Sequence, residues 1–321
     1  MSFKYINPGY ANLLDVEGGT TIADAKKSRT GVGFYQPKSG KGINIAATST
    51  DIYGKFDVYA YRDADDKSAD NFEIQVTLGY NGVSFKKLTN SFYLSGLVNN
   101  SSRIYLNAST WYPDTLKSRL GITMNAMNTI YFHAKASSDG SAKDGFLVLY
   151  VNGREVGRAE NYAVNLAYSN PKVVVVYGSN STGLISNLIL SDTEINLREQ
   201  VAILPIRSTE TTMTAKEDGS YTASTAEQQI LQSIDTASLI ESYGAASQVT
   251  GISLIGNPAY RTAEGLAMLT PLEKNGDVVT EYGAKEAKAD VTAGVIDSRA
   301  VSLSLAALAS YKFGWKAGVS S

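Results

Sequence analysis

Hydrophobic and polar side chains alternate along much of the first 195 residues, as in β-strands that bury one face and expose the other. Residues 56–61, 72–78 and 130–136 show this period of two over their whole length. They predict strands of an all-β domain. The expected inward positions include Phe56, Val58, Ala60, Phe72, Ile74, Val76, Leu78, Ile130, Phe132 and Ala134, with Leu94, Ile122 and Met124 as further core candidates, and the expected outward positions include Asp57, Tyr59, Tyr61, Tyr131 and His133.

A different pattern follows at residues 146–151, which are apolar at successive positions and rich in β-forming residues, as in a central strand. Asn152 and Gly153 come next, and this pair suits the two positive-φ positions of a type I′ turn. Residues 154–159 then predict a more polar returning strand. The pair Asn81–Gly82 predicts a second hairpin of the same kind. The chain therefore reads as a meander of antiparallel strands.

Residues 192–199 are polar and interrupt the strand rhythm, which predicts a domain boundary between about 195 and 200. Residues 201–205 are expected to start a new strand, and Asp218–Gly219 predicts a turn between two further strands. The second domain, about 200–321, is thus also expected to be mostly β.

A short helix is predicted over residues 236–243 of this second domain. Asp235 is a suitable N-cap residue, and Gly244 stands where a glycine often ends a helix. Residues 226–234 leave two alternatives open. Ser224 and Glu227 form the spacing of a capping box, whereas Ile230, Gln232 and Ile234 also fit a strand.

Three pieces of the first domain resemble, in this order, the closing half of a concanavalin A-like or laminin G-like jelly roll. They are residues 128–134, the Leu-Tyr-Val-Asn-Gly hairpin within 146–157, and the Gly-Leu-Ile-Ser-Asn strand that begins at Gly183. The resemblance implies a two-sheet sandwich over about 1–195. Such sandwiches occur in lectins, adhesion modules, hydrolases and structural domains, so the resemblance implies no particular ligand.

The end of the chain is similar to C-terminal β-sandwich domains of phage structural proteins. The resemblance depends on residues 292–294 and on the spaced apolar positions that follow them, and it implies a short helical turn before a final strand. The matching residues are Thr292, Leu303, Leu305, Leu308, Phe313, Gly314, Trp315, Lys316 and Ala317.

Composition narrows the function classes. The 29 basic and 31 acidic residues give a net charge of −2, which argues against nucleic acid as a partner. The sequence contains no cysteine, so neither disulfides nor thiolate metal sites are expected. We find no signal-peptide pattern near Met1 and no apolar run long enough to span a membrane, so we expect no membrane association.

Few residues suit catalysis. His133 is the single histidine, so a Ser-His-Asp triad or a histidine metal cluster has only this one ring available. Glycoside hydrolysis needs paired carboxylates, and Asp15 and Glu17 are the nearest approach to that pattern. Calcium is conceivable at one acidic loop, although Lys67 disfavours it and a solvated turn is the preferred interpretation. The candidate calcium ligands are Asp63, Asp65, Asp66 and Asp70.

Aromatic side chains on outward strand positions and loops are more suggestive, because such rings stack on sugars or anchor protein contacts. Packing at a subunit interface is the preferred interpretation, and sugar binding is the alternative. The candidate residues are Tyr59, Tyr61, Trp111, Tyr112, Tyr131 and His133.

These observations favour a two-domain all-β protein that attaches and displays rather than reacts. The expected function is that of a non-enzymatic structural or adhesive component on the surface of a phage particle, such as a capsid decoration, tail or fibre protein. Its expected partners are other virion proteins, further copies of the chain in a trimer, and host-surface glycans, and no cofactor is expected. The alternative is a glycan-binding adhesion protein of a bacterial surface, and a polysaccharide-cleaving enzyme is the least favoured interpretation.

Overall fold

The structure is a computed structural model, and the chain divides into two compact units, Met1–Ala202 (unit 1) and Ile203–Ser321 (unit 2). This division lies a few residues after the boundary expected from the sequence. The described residues are 4–8, 20–23, 28–30, 32–35, 43–44, 51–60, 72–78, 81–88, 91–98, 101–109, 113–135, 137–138, 142–162, 171–177, 185–256, 268–286 and 295–319.

The described residues of unit 1 form antiparallel strands and one short helix. In chain order its elements are β1 (Lys4–Asn7), β2 (Thr20–Ala23), β3 (Val32–Tyr35), β4 (Ile43–Asn44), β5 (Asp51–Ala60), β6 (Phe72–Leu78), β7 (Asn81–Leu88), β8 (Ser91–Val98), β9 (Ser101–Ser109), α1 (Pro113–Leu120), β10 (Ala126–Lys135), β11 (Gly145–Val151), β12 (Arg154–Tyr162), β13 (Pro171–Tyr177) and β14 (Ile185–Ser191).

The strands of unit 1 form two sheets. Sheet 1 has the order β12-β11-β10-β5-β14-β3-β2, with β1 also paired to β14, and sheet 2 has the order β4-β13-β6-β7-β8-β9. Strands β10, β11 and β12 contact β7, β8 and β9 of the other sheet, so the two sheets face each other. The all-β prediction is confirmed, and the arrangement is the two-sheet sandwich that the jelly-roll resemblance implies.

The core of unit 1 lies between the two sheets, on the inward positions predicted from the alternation. Phe56, Ile130 and Phe132 are fully or almost fully buried, and so is Ile122. Gly54 leaves room for the Phe132 ring, because a Cβ atom at Gly54 would lie 2.1 Å from the ring's Cε1 atom. Leu94 is one core candidate whose side chain lies outside the described residues, and Met124 is half-buried.

The predicted type I′ turn between β11 and β12 is confirmed, since Asn152 and Gly153 have φ angles of 51° and 80°. The second predicted hairpin was wrong in position. Asn81 and Gly82 belong to β7, where Asn81 pairs with Leu78 of β6. The register between β6 and β7 therefore places both residues in a strand rather than in a turn.

Unit 2 is also mostly β. Its elements are β15 (Ile206–Thr211), β16 (Thr214–Ala215), β17 (Tyr221–Thr222), β18 (Gln229–Ile234), α2 (Ala237–Tyr243), β19 (Gln248–Gly256), β20 (Met268–Asn275), β21 (Val278–Glu281), β22 (Lys285–Glu286), β23 (Val295–Ser304), α3 (Leu305–Leu308) and β24 (Tyr311–Gly318). The largest sheet has the order β15-β18-β24-β20-β21, with β22 paired to β20, and β16-β17 and β19-β23 form two smaller sheets.

The structure of unit 2 tests several local predictions. The open stretch 226–234 contains strand β18 rather than a helix. Helix α2 begins at Ala237, one residue later than predicted, and Thr236 rather than Asp235 is its N-cap residue. Asp235 accepts a hydrogen bond from the Ala237 N–H at 2.9 Å. Residues 201–205 form no strand, so that prediction was wrong; Pro205 lacks the N–H that a paired strand position needs.

The final part of unit 2 forms the helix-then-strand ending that the second resemblance implies. Helix α3 begins after Ser304, whose hydroxyl accepts a hydrogen bond from the Ala307 N–H at 3.1 Å. Leu305, Leu308 and Phe313 make the buried centre of this unit's core. In the described part of the chain, none of the helices has the length and apolar character required to cross a membrane.

Candidate functional site

Three aromatic rings from neighbouring strands meet on the outer face of sheet 1, the face turned away from sheet 2. In the strand register, Tyr53 of β5 pairs directly with His133 of β10. Phe146 of β11 pairs with Lys135, which is the next residue of β10 on the same face as His133. The rings of Tyr53 and His133 stack with centroids 3.8 Å apart and planes 17° apart. Phe146 meets His133 edge-on at 4.7 Å and 90°. We call these three residues the aromatic site.

Asp51 fixes the orientation of the histidine ring in the aromatic site. The Nε2 atom of His133 donates a hydrogen bond to Asp51 Oδ1 at 2.5 Å. Both groups keep contact with solvent, since the side chain of His133 is 19% exposed and that of Asp51 is 38% exposed. An ionised carboxylate only accepts hydrogen bonds, so Asp51 places acceptor oxygens beside a ring surface.

The outer face beside the aromatic site is covered in part by the end of unit 1. Residues 192–202, which we call the covering segment, place Ile195 and Val201 against Tyr131 and Ile189. Tyr131 is therefore only 6% exposed, and the expectation that it faces outward to a partner or a sugar was wrong. Its alternation with buried neighbours correctly indicated the face, but a later segment of the chain packs onto that face.

Three buried polar side chains hold the covering segment in place. Lys55 is 2% exposed, and its Nζ atom donates to the carbonyl oxygens of Leu197, at 3.0 Å, and of Glu199. The Nζ atom of Lys4 also pairs with the carboxylate of Glu199. Asn187 accepts a hydrogen bond from the Val201 N–H at 2.8 Å. The segment is thus bound by charged and amide groups as well as by apolar contact.

Asp57 completes this polar layer and is wholly buried, which corrects its expected outward, solvated position. Its carboxylate accepts hydrogen bonds from Thr129 Oγ1 at 2.5 Å and from Asn187 Nδ2 at 2.9 Å. Arg29 Nε lies 3.1 Å from the same carboxylate. A buried carboxylate is tolerated when such donors satisfy it. Asp57 therefore has a structural role and does not face a ligand.

The electrostatic environment of the aromatic site is acidic. Burial raises the pKa of Tyr53, and the nearby carboxylates of Asp51 and Glu194 raise it further. Burial likewise raises the pKa of Tyr131, with Glu194 as the next cause. The pKa of each tyrosine is thus raised in part by Asp51 and Glu194, because a carboxylate disfavours a second negative charge nearby.

Only part of the predicted aromatic set belongs to this site. His133 does, whereas Tyr59 lies six residues beyond Tyr53 on β5, about 20 Å away at strand spacing. Other predicted residues lie outside the described residues, so the structure assigns them no place. These are Tyr61, Trp111 and Tyr112, the acidic-loop residues Asp63, Asp65, Asp66 and Asp70, and the pair Asp15 and Glu17.

Sequence reasoning missed Asp51, Tyr53 and Phe146. Extending the alternation of residues 56–61 backward by three more outward positions places Tyr53 and Asp51 on the same face as Tyr59. The register between β5, β10 and β11 is what brings these residues to His133, and it is not readable from any one strand.

The side chains of the aromatic site offer ring surfaces and a His–carboxylate pair. Within the residues that the structure describes, no three His, Asp or Glu side chains come together in a group that could hold a metal ion. His133 with Asp51 is the single His–carboxylate pair in a chain with one histidine. Ring surfaces with adjacent hydrogen-bond acceptors suit a polar ligand that also presents an apolar face.

A second polar cluster lies in unit 2 and links two of its sheets. Arg299 of β23 donates to Asp297 at 3.0 Å and to Glu273 of β20 at 3.2 Å. Its guanidinium carbon lies 3.5 Å from the centroid of the Tyr282 ring, whose hydroxyl donates to Glu273 at 3.1 Å. These charges mostly satisfy one another, so the cluster stabilises unit 2 rather than forming a binding site.

Comparison with solved structures finds proteins of similar fold, all at low sequence identity and low TM-score. An endo-β-1,4-glucuronan lyase from the fungus Trichoderma reesei is 13% identical with a TM-score of 0.38, and the match covers 59% of this chain and 95% of that one. Sheep galectin-11, in complex with glycerol, is 11% identical with a TM-score of 0.28 over 49% of this chain and 99% of its own. A galectin of Caenorhabditis elegans is 9% identical with a TM-score of 0.30 over 59% and 94%. No protein-family model and no curated protein matches the chain. At these low values none of the structures indicates what this chain binds.

Proposed function

We propose that this chain is a non-catalytic adhesive and structural protein of a phage particle, and that unit 1 binds glycans at the aromatic site. The observation that carries the proposal is the contact of three half-buried rings, Tyr53, His133 and Phe146, beside the partly exposed carboxylate of Asp51. Sugars present apolar C–H faces and many hydroxyl donors, and this combination of rings and acceptors complements both.

The rigid surroundings favour binding without a conformational change. Tyr53 packs against the buried cluster of Tyr131, Ile189 and Ile195. His133 is held by Asp51 and by two flanking rings. A site that is already ordered loses little conformational entropy when the ligand arrives, which improves affinity.

A binding role also fits the carboxylate arrangement better than hydrolysis. Glycoside hydrolysis requires two carboxyl groups that flank the scissile bond at a defined separation. At the aromatic site Asp51 is engaged by His133, and Glu194 is exposed on the covering segment. The pair His133–Asp51 is the one observation that favours catalysis, and an activity screen on polysaccharides with the His133→Ala variant tests it.

Titration calorimetry of the full chain with neutral oligosaccharides tests glycan binding. Phe146→Ala and His133→Ala should each weaken binding about tenfold, because each removes ring contact worth roughly 1–1.5 kcal/mol. Tyr105→Ala is the matched control, since Tyr105 is 58% exposed on β9 of the other sheet. Equal loss in the control and the site variants would contradict the proposed site, and absence of any binding oligosaccharide would contradict glycan binding.

The location on a phage particle is supported by the ending of unit 2, where α3 and β24 follow the arrangement implied by the likeness to phage structural proteins. The competing location is a bacterial surface, where the same site would serve a cell adhesion protein. Mass spectrometry of purified virions distinguishes the two by detecting the chain or failing to. Mass measurement in solution tests the trimer that we expect for a fibre or decoration protein.

A further inference from the structure

The hairpin between β20 and β21 presents an Asn-Gly pair at an exposed turn. Asn275 pairs with Val278, so Gly276 and Asp277 form a two-residue turn. The φ angle of Gly276 is 59°, as the first turn position of type II′ requires. Asn275 and all four residues of β21 are exposed, so this end of the hairpin is open to water.

Asparagine is a chemically labile residue, and a following glycine makes it more so because glycine has no side chain to obstruct the reaction. The backbone nitrogen of the glycine loses its proton and attacks the Cγ atom of the asparagine. The N–Cγ bond forms, the Cγ–Nδ2 bond breaks, and the amide nitrogen takes up a proton and leaves as ammonia. Water then opens the cyclic imide at either of its carbonyl groups, which gives aspartate or isoaspartate. Water is the only co-reactant.

A second Asn-Gly pair, Asn152–Gly153, is held in a way that opposes this attack. The Nδ2 atom of Asn152 donates to the Gly121 carbonyl oxygen at 2.8 Å and to Asn128 Oδ1 at 2.9 Å. Its Oδ1 atom accepts a hydrogen bond from the Thr129 N–H at 2.9 Å. The Cγ atom can swing towards the Gly153 nitrogen only when these hydrogen bonds break, which makes the attack slower.

We propose that Asn275 is a deamidation site of the folded protein, whereas Asn152 is protected. Within the part of the chain that the structure describes, no hydrogen bond holds the Asn275 side-chain amide. Strand β21 lies at one end of the strand order of its sheet, so the hairpin opens locally at low cost and lets Cγ reach the Gly276 nitrogen. The side chains of the third such pair, Asn81–Gly82, lie outside the described residues.

The reaction changes the hairpin itself. Either product adds a carboxylate close to Asp277, and isoaspartate also lengthens the backbone by one carbon atom before Gly276. The longer backbone disturbs the register that pairs Asn275 with Val278. Amides of residues 278–281 should therefore exchange hydrogen faster in the aged protein than in the fresh protein.

Ageing the full chain at mildly alkaline pH, followed by mass spectrometry of its peptides, tests the assignment. A brief digestion at acidic pH limits deamidation during handling, and each event raises the mass of a peptide by about one dalton. In the folded chain Asn275 should deamidate at least about tenfold faster than Asn152, because only Asn152 must break hydrogen bonds first. The Asn275→Gln variant is the control for the peptide, since the longer side chain disfavours the cyclic imide and the mass increase should disappear.

The same measurement in guanidinium chloride separates structure from sequence. Both asparagines precede a glycine, so in the unfolded chain their rates should agree within about threefold, and the difference should return when the chain is folded. Equal rates at Asn275 and Asn152 in the folded chain would overturn the proposal. So would an Asn275 peptide that keeps its mass in the folded chain while the unfolded chain deamidates there.

Discussion

Replacing Lys55 with methionine tests how the covering segment is held on sheet 1. The side chain is 2% exposed, and its Nζ atom donates to the carbonyl oxygens of Leu197 and Glu199. Methionine fills a similar volume but cannot donate, so two carbonyl groups lose a donor in a buried place. Each unsatisfied buried group costs about 1–3 kcal/mol, and relief of the lysine's own desolvation offsets part of this. We expect unit 1 to lose about 3 kcal/mol of unfolding free energy.

Urea denaturation of the full chain measures the global effect, and hydrogen exchange by mass spectrometry locates it. Amides of residues 192–202 should lose protection in Lys55→Met, whereas amides of unit 2 should keep theirs. Lys143→Met is the matched control, because Lys143 is exposed, and its effect should stay within about 0.5 kcal/mol. Unchanged protection of residues 192–202 in Lys55→Met would refute the role assigned to this lysine.

The same lysine gives a pH dependence whose sign follows from its burial. Burial lowers the pKa of Lys55, while Asp57 and Glu199 oppose that shift. The folded state therefore binds fewer protons than the unfolded state in the range between the lowered value and the ordinary value of about 10.4. Unfolding free energy should rise with pH across that range in the unmodified chain relative to Lys55→Met. A difference between the two proteins that shrinks as pH rises there would contradict the assignment.

Two further substitutions, one in each unit, test the interactions that stabilise that unit, and each is compared with a control substitution. Gly54→Ala should destabilise unit 1 by about 1–3 kcal/mol, because the new methyl group would collide with the Phe132 ring, whereas Gly283→Ala enters open space and should change the melting temperature little. Arg299→Met should destabilise unit 2 by about 3 kcal/mol, since the largely buried Glu273 loses the Arg299 cation and Asp297 keeps only the partly exposed Lys285. Lys312→Met breaks only an exposed pair and should cost less than about 1 kcal/mol in the same denaturation measurement.

The fold was predictable where one strand carries its own signal. The alternation of residues 130–136 identified a strand and its buried face, and Asn152–Gly153 identified the turn, because backbone geometry and side-chain period act locally. The second turn was misplaced because Asn81–Gly82 is a strong local turn signal, whereas in the structure both residues pair with β6 as part of β7. Pairing between two strands decided that case.

The site was only partly predictable for the same reason. His133 could be singled out from the sequence as the single histidine, but its neighbour Tyr53 comes from a strand that lies far from it in the chain. Phe146 belongs to the next strand, and only the register places it beside the histidine ring. Tyr131 shows the opposite error. Its outward direction was correct, yet residues 192–202 return to cover it, and no periodicity within β10 indicates that.

The chain's single histidine allows the most direct test of the account, because His133 lies at the centre of the aromatic site. An untagged protein labelled with ¹³C at the histidine Cε1 atom gives one ring resonance to follow while a neutral oligosaccharide is titrated. We predict that this resonance shifts with the same dissociation constant that calorimetry gives, and that Phe146→Ala raises this constant about tenfold in both measurements. Calorimetric binding of the sugar with an unmoved histidine resonance would show that the ligand sits elsewhere and would contradict the account.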